Sequence, residues 1–501
     1  MTIEQYETVI VGAGFSGLGM AIRLKEAGRT DFVVVDRASE VGGTWHQNTY
    51  PGCACDVPSR LYSFSFAQNP NWSRAYSPQP EIFAYLNALT DRYGLRPFLK
   101  LNTELVAASW DEEQARWNIE LGEGRSLQAR FLISAVGGLS RPALPALPGL
   151  QNFEGKSFHS QQWAHDYPLE GKRVAVIGTG ASAIQFVPQI APTVTHLKLF
   201  QRTPPWIVPR PDRPIGQPEQ RLMRALPVLQ WVARLVLYWW MEIRVVAFGF
   251  YPRLLKIAQR LALNHLAAQV PDPALRQTLT PAYTMGCKRV LLSNDYYPAL
   301  TRSNVEVVTS GIARIKAHSI VTADGFDHPV DCLIFATGFQ ATNPFGEVQI
   351  RGRGGLSLAE AWKNGMEAYL GTTVAGFPNF FLLTGPNTGI GHTSLLVMIE
   401  SKLAYVLDAL QRVEQRGLRT VEVKPEVQRA FIEDLDQRSR RTVWESGCMS
   451  WYLDQAGRNR TLWPDFTFKF RLRTRRFDFA NYTCVPLSNA LALAVSDPAL
   501  G

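Results

Sequence analysis

The chain has 501 residues, 46% of them hydrophobic, enough for a large buried core and more than one domain. Lys and Arg number 52 against 43 Asp and Glu, a formal charge of +9, but apart from Arg471, Arg473, Arg475 and Arg476 the basic residues are scattered and no recognition motif accompanies them, which argues against a nucleic-acid partner. The six cysteines, Cys53, Cys55, Cys287, Cys332, Cys448 and Cys484, include no Cys-x-x-Cys pair, so no thioredoxin-like centre and no metal site are expected, and reduced thiols in a cytoplasmic protein are the simplest reading.

At the N-terminus Glu4 and Glu7 stand where a secretory signal would carry basic residues, so no signal peptide is expected. Thr8 to Val11 is a short apolar run leading into Gly12-Ala13-Gly14-Phe15-Ser16-Gly17, a helical stretch to about Gly28, and a second strand from Phe32 to Val35 that ends at Asp36. Gly12 permits a tight turn, Gly14 lets backbone approach a pyrophosphate, and Gly17 allows close helix–strand packing. Free N–H groups at the helix start face the anion, and Asp36, about 20 residues on, can accept from ribose hydroxyls.

Mixed strands end near Phe131 to Val136, and Pro142, Pro145 and Pro148 mark a first boundary. The nucleotide pattern then recurs: Val174 to Ile177 is a strand, followed by Gly178-Thr179-Gly180-Ala181-Ser182-Ala183, a helix through Ile190, and a strand from Leu197 to Phe200. Ala183 takes the third glycine position, and the second strand ends in Gln201-Arg202-Thr203 without a carboxylate. A carboxylate there repels a 2′-phosphate, whereas Arg202 can pair with it, so this site suits NADP(H). Two nucleotide sites in one chain imply hydride transfer between two nucleotides, with FAD at the first and NADPH at the second.

Pro204 to Pro214 marks another boundary, before a helix-rich insertion reaching about Val270. Within it, the run from Ala225 to Pro252 carries Trp231, Trp239 and Trp240. Arg234, Glu242 and Arg244 interrupt it short of the roughly 18 apolar residues a membrane span needs. It reads first as helices lining an apolar pocket, and second as an interfacial patch making peripheral membrane contact. Strand patterns return at Val305 to Val308 and Asp331 to Phe335, where Ala336-Thr337-Gly338 suits the return of the chain to its first domain. The fold class expected is α/β, two interleaved Rossmann-like dinucleotide-binding domains with a helical insertion. The boundaries are 1–145 and 335–501 for the FAD side, 146–210 and 286–334 for the NADP side, and 211–285 for the insertion.

Two longer fingerprints make the chain resemble the class B flavoprotein monooxygenases, in their Baeyer–Villiger branch. One is Phe153-x-Gly155-x-x-x-His159-x-x-x-Trp163, followed here by Ala164 where the family has Pro or Asp. The other is Gly42-Gly43-Thr44-Trp45, then Tyr50-Pro51-Gly52 and Asp56, matching at every fixed position. A third matching segment is Gly286-Cys287-Lys288-Arg289. The resemblance implies an enzyme that uses NADPH, FAD and O₂ to convert an apolar ketone or aldehyde into an ester or lactone through a C4a-peroxyflavin.

By the same resemblance Arg289 reaches the flavin and Lys288 helps hold the NADP phosphate. Asp56 orients Arg289 and the nicotinamide, and Thr44, Trp45 and Tyr62 border the flavin. His159 acts in a conformational linker rather than in proton transfer, although an ordinary buried histidine reads nearly as well. Trp163 and Trp45 read as packing groups. Trp451, in Ser450-Trp451-Tyr452, is a candidate for a loop closing over substrate, with a core tryptophan as an equal alternative. Gly385-Pro386-Asn387 is expected near the flavin. Two other functions stay open: oxygenation of a soft N or S centre, and a flavin-binding regulatory protein without turnover.

Overall fold

The computed structural model describes residues 3–448, 450–454 and 456–487. Two open sheets carry the molecule. In the first, the central strand Glu4–Val11 is flanked in parallel by Phe32–Val35 on one side and Ser126–Ser134 on the other. Leu99–Lys100 extends the sheet beyond Phe32–Val35. Arg116–Leu121 and Leu105–Asp111 run antiparallel beyond Ser126–Ser134. Two strands from the C-terminal half complete it: Phe380–Leu382 pairs on Ser126–Ser134 and Gln349–Arg351 on Leu105–Asp111. Val9, Ile10, Val34 and Val35 are fully buried, as β-branched residues are in a parallel strand covered on both faces.

The second sheet has five strands, all parallel, in the spatial order Val305–Val308, His196–Phe200, Arg173–Ile177, Cys332–Phe335, Lys156–His159. The chain crosses between the sheets along two neighbouring segments. The Ala143 amide donates to the Gly338 carbonyl and the Gln340 amide to the Arg141 carbonyl, both at 2.9 Å, and Thr337 Oγ1 donates to Ala143 O at 2.5 Å. Ala336-Thr337-Gly338 thus lies on the crossing back to the first sheet. The α/β class with two interleaved Rossmann-type sheets is the observed architecture.

The two glycine loops repeat one geometry. Each follows the central strand of its sheet, where the crossovers to either side diverge and a ligand crevice opens. Gly12 has φ +110° and Gly178 φ +108°. A Cβ on Gly12 would lie 2.9 Å from the Ala135 carbonyl, and one on Gly178 2.4 Å from the Ala336 carbonyl. The helices that follow differ: the first runs Phe15–Glu26, and the second, Ala183–Ile190, starts later in its motif. Gly17 has no room for a methyl group, whereas Ala183 must house one, and the second loop turns further before its helix begins.

The segment after Pro214 is helical, as expected, in Gln217–Ala225, Pro227–Glu242, Leu255–Gln269 and Pro273–Thr278. Leu237 and Trp240 line an apolar pocket with Tyr76, Pro211 and Ile215, while much of the run is turned outward. Trp231, Trp239 and Trp240 are 57%, 50% and 49% exposed, while Arg234 and Glu242 are buried. No helix among the described residues is long and apolar enough to cross a membrane.

Candidate active site

The first nucleotide crevice is built where two motifs meet. Gly43 has φ +53°, and a Cβ on it would stand 3.0 Å from the Gly14 Cα. Two side-chain-free stretches of backbone therefore lie against each other at the start of the Phe15–Glu26 helix, whose first turn has no side-chain cap. Exposed helix-start amides in a cradle without Cβ atoms are the donor set an FAD pyrophosphate needs. Asp36 closes this end: its Oδ2 accepts from the Ala13 amide at 2.6 Å and its Oδ1 from the Ala38 amide at 2.8 Å, which pins it at the rim where ribose hydroxyls would fall.

Beyond Gly43, Thr44 opens a single helical turn, Thr44–Gln47, and is half-buried. Trp45 Nε1 donates to the Tyr62 hydroxyl at 3.1 Å, and the Tyr62 ring meets Phe15 edge-on at 5.3 Å. Burial raises the Tyr62 hydroxyl far above its ordinary range, so it stays a neutral donor. Trp45, Tyr62 and Phe15 form an apolar wall against the glycine loop.

Arg289 and Asp56, far apart in sequence, form an ion pair. Arg289 Nε and Nη2 both donate to Asp56 Oδ2, at 3.0 and 2.5 Å. The Asp56 charge, working against burial, raises the Arg289 pKa further, so the guanidinium is a permanent cation. The pair uses one edge of a five-donor group, and 37% of the Arg289 side chain stays accessible.

A third member was not foreseen. Tyr452 is fully buried beside this pair. Burial raises its hydroxyl to about 12, with Arg289 pulling it back and Asp56 pushing it up. Trp451, the candidate substrate-loop residue, is instead 45% exposed and packs at a tilt against Tyr452 with ring centroids 4.5 Å apart. The neighbouring Asn459 and Arg460 hold this tail in place. Asn387 Nδ2 donates to the Asn459 carbonyl at 2.8 Å, and Arg460 pairs with Asp436 at 2.6 Å. Gly385-Pro386-Asn387 therefore anchors the tail.

The cysteine expectation is corrected at the same place. Cys287 and Cys448 are joined as a disulfide, with Cα atoms 6.2 Å apart, tying the Lys288-Arg289 segment to the loop that carries Trp451 and Tyr452. A sequence separation of 161 residues hides such a pairing from spacing rules. Cys53, Cys55, Cys332 and Cys484 are free.

On the NADP side, Gly178 and Gly180 turn below Ala336, and the methyl-bearing Ala183 is fully buried at the helix start. Thr203 accepts at its carbonyl from Thr179 Oγ1 at 3.0 Å, which binds the end of the next strand to the loop. Arg202 is exposed. Burial lowers the Lys288 pKa, and the nearby charge of Arg202 lowers it further. Two cations brought together at the strand end fit a phosphate dianion that would relieve their repulsion.

The Phe153 fingerprint forms a seam. A Cβ on Gly155 would meet the Asp331 carbonyl at 2.5 Å and the Phe153 ring at 2.6 Å, so the glycine lets the edge strand close on the second sheet. Burial pushes the His159 ring pKa down, and its Nδ1 accepts from the Gln161 amide at 3.1 Å. Gln161 Nε2 donates to Gln47 Oε1 at 2.8 Å, linking this segment to the Thr44–Gln47 turn. Trp163 packs against Phe158 and Phe186, both at 5.2 Å. Trp163 and His159 lie in this seam, and neither is among the groups gathered around Arg289.

The second fingerprint also bridges the sheets. Tyr50 donates to Gln185 Oε1 at 2.9 Å, and a Cβ on Gly52 would lie 2.6 Å from the Gln185 carbonyl. Gln185 is a site-supporting residue that sequence reading missed, since nothing local marks it. Its position two residues into the second nucleotide helix was the available signal.

Residues 9–215 match the pyridine nucleotide-disulphide oxidoreductase family. The chain is 52% identical over 486 residues to a Baeyer–Villiger monooxygenase of Pseudomonas aeruginosa, covering 96% of this chain and 92% of that one. It superposes on the closed crystal structure of cyclohexanone monooxygenase with a TM-score of 0.87 at 29% identity, over 97% of this chain and all (100%) of the other. It superposes equally well on OTEMO in complex with FAD and NADP, with a TM-score of 0.87 at 26% identity over 97% and 100% of the two chains. A chain with two nucleotide crevices, both fingerprints and this degree of likeness belongs to the Baeyer–Villiger branch of the class B flavoprotein monooxygenases.

Proposed function

We propose that this enzyme oxidises NADPH through FAD and inserts one atom of O₂ into an apolar ketone or aldehyde, giving an ester or lactone, NADP⁺ and water. FAD, when bound, supplies the hydride acceptor and the oxygen-activating centre. The chain supplies position, charge and exclusion of water. In this reading Gly12, Gly14, Gly17, Gly43 and Asp36 hold the FAD diphosphate and ribose, and Trp45 and Tyr62 wall off the ring. Gly178, Gly180, Ala183, Arg202, Thr203 and Lys288 take NADPH. Residues 1–145 and 335–501 form the FAD-binding part, and 146–210 with 286–334 the NADP-binding part.

The observation that carries the proposal is the Asp56–Arg289 pair, with Arg289 partly accessible and Tyr452 buried beside it. Attack on a carbonyl builds negative charge on oxygen. A fixed guanidinium, oriented by Asp56 and backed by the neutral hydroxyl of Tyr452, meets that charge without reorganising. In this reading Asp56 keeps the fork in one orientation and leaves the accessible part of Arg289 for the substrate oxygen.

The test is oxygen consumption with NADPH, with products identified by mass spectrometry from a panel of cyclic ketones and a thioether. Lactone formation coupled to NADPH oxidation is expected. Oxidation of the thioether alone would favour the N- and S-oxygenating relatives, and no turnover would favour a regulatory flavoprotein.

Coenzyme choice gives a second test. Arg202→Ala is expected to raise the KM for NADPH and leave NADH nearly unaffected, because only the 2′-phosphate loses a partner. One charge-assisted contact is worth about 1.5–3 kcal/mol, roughly 10- to 150-fold in kcal-equivalent preference. Arg202 is exposed, so the lower part of that range is expected. An unchanged NADPH-to-NADH ratio would remove Arg202 from the site.

A further inference from the structure

The Pro227–Glu242 helix is inside out. On a soluble helix the polar stripe faces water. Here Arg234 and Glu242 point inward. Arg234 donates to the Leu61 and Ser63 carbonyls at 3.2 and 2.7 Å and pairs with Glu400 at 3.3 Å. Glu242 accepts from Thr467 Oγ1 at 2.8 Å and lies 3.4 Å from His392. Around the rest of the helix and just past its end Val228, Trp231, Leu235, Val236, Trp239 and Ile243 are turned to the exterior, between 39% and 65% exposed. These positions recur every three or four residues, so they form one continuous stripe.

The stripe extends onto neighbouring segments. Trp239 packs on Phe468 at 5.9 Å and Phe250 on Phe466 at 5.6 Å, bringing in the Thr467–Arg473 helix, where Leu472 is 65% exposed. The chain runs on through Leu254, Ile257 and Leu261, which are 46%, 74% and 53% exposed.

The charge around this face has one sign. From Gln220 to Pro271 the sequence holds a single carboxylate, Glu242, and it is buried. Arg221, Arg224, Arg253, Lys256 and Arg260 are exposed, and so are Arg471, Arg473, Arg475 and Arg476 on and after the adjoining helix. The Arg244 guanidinium lies 4.0 Å from the Trp240 ring centroid. Glu219, at the near end, is neutralised by Arg60 and Arg213, both at 2.8 Å.

We propose that this face docks the enzyme on an anionic lipid surface, with the tryptophans and aliphatic side chains entering the headgroup–acyl boundary and the flanking arginines and lysines pairing with lipid phosphates. Exposed tryptophans beside arginine and lysine are the composition that settles at a bilayer interface. A second copy of the chain is the poorer occupant, because a two-fold contact would set this cationic rim against itself. Docking needs no spanning segment, and the inward Arg234 and Glu242 fix which face of the helix is turned out.

The experiment is sedimentation of the FAD-loaded enzyme with phosphatidylcholine vesicles and with phosphatidylcholine–phosphatidylglycerol vesicles, alongside a measurement of solution mass. Binding is expected to the phosphatidylglycerol-containing vesicles, to weaken in high salt, and to fall by about tenfold or more in Trp231→Ser/Trp239→Ser and in Arg221→Gln/Arg224→Gln. None of these four residues touches the cleft machinery, so NADPH-driven turnover of a water-soluble ketone is expected to be unchanged and reports correct folding. No binding to anionic vesicles, binding undiminished in both folded double variants, or a wild-type dimer that the tryptophan substitutions dissociate would each overturn the proposal.

Discussion

Arg289→Ala is expected to lower ester formation by about 10²–10³-fold while FAD stays bound, the loss that follows removal of a preorganised partner for a developing oxyanion. The flavin should be retained because the cradle proposed for FAD, Gly12 to Gly17 with Gly43, makes no contact with Arg289. The protein should still fold, since the Cys287–Cys448 bond and the buried Tyr452 hold the segment in place. Asp56 is 29% accessible, so water can solvate it once its partner is gone. NADPH should therefore still be oxidised, with hydrogen peroxide released in place of ester.

The readout is the ratio of ester formed to NADPH consumed, set beside the anaerobic rate of flavin reduction. Arg289→Lys should recover part of the coupling, because it restores the charge without the planar fork. A variant that reduces normally and forms ester at the wild-type rate would make Arg289 structural only.

Much of the site could be read in the sequence because its parts are local. A loop that must bring bare backbone to a phosphate needs glycines at fixed spacing, and Gly12, Gly14 and Gly17 declare themselves together with the strand and the Asp36 that follow. The Tyr50-Pro51-Gly52 turn and Gly155 were visible as pattern, but their physical tasks were not. Each admits a backbone carbonyl from another part of the chain, Gln185 or Asp331, that no spacing rule names.

Tyr452 was passed over for Trp451 because which of two adjacent aromatic residues turns inward depends on the surrounding fold. The insertion was legible only in part for a similar reason. In the Pro227–Glu242 helix Arg234 and Glu242 stand about 80° apart around the axis, with Trp231 between them and Trp239 and Trp240 further round. Such a mixed pattern does not say which positions are turned outward. Arg234 and Glu242 turn inward because buried carbonyls and Glu400 await Arg234, and Thr467 and His392 await Glu242.

Gly17→Ala is expected to abolish stable FAD binding, although it adds only a methyl group. That methyl would stand 1.8 Å from the Gly12 carbonyl oxygen and 3.3 Å from the Ala135 Cβ. The first obstacle is backbone of the same loop, so no side-chain rotation relieves it. Either the Phe15–Glu26 helix start moves away from the central strand, or Gly12 leaves its φ of +110° and its place under the Ala135 carbonyl. Both displace the amides that face the pyrophosphate.

Overpacking a fixed interior commonly costs about 1–3 kcal/mol, and a clash with backbone belongs at or above the top of that range. Because FAD binds only the folded cradle, lost affinity also appears as lost stability. The second nucleotide loop supplies the internal control. It already carries Ala183 at the matching position, so Ala183→Gly should leave the flavin content unchanged and lower stability by no more than about 1 kcal/mol, the ordinary helical cost of glycine. Flavin-to-protein ratio after purification, reconstitution with added FAD, and the melting temperature together decide the matter. A Gly17→Ala protein that stays fully yellow and melts with the wild type would show that the helix can shift at no cost, and that the third glycine is not what seats the flavin.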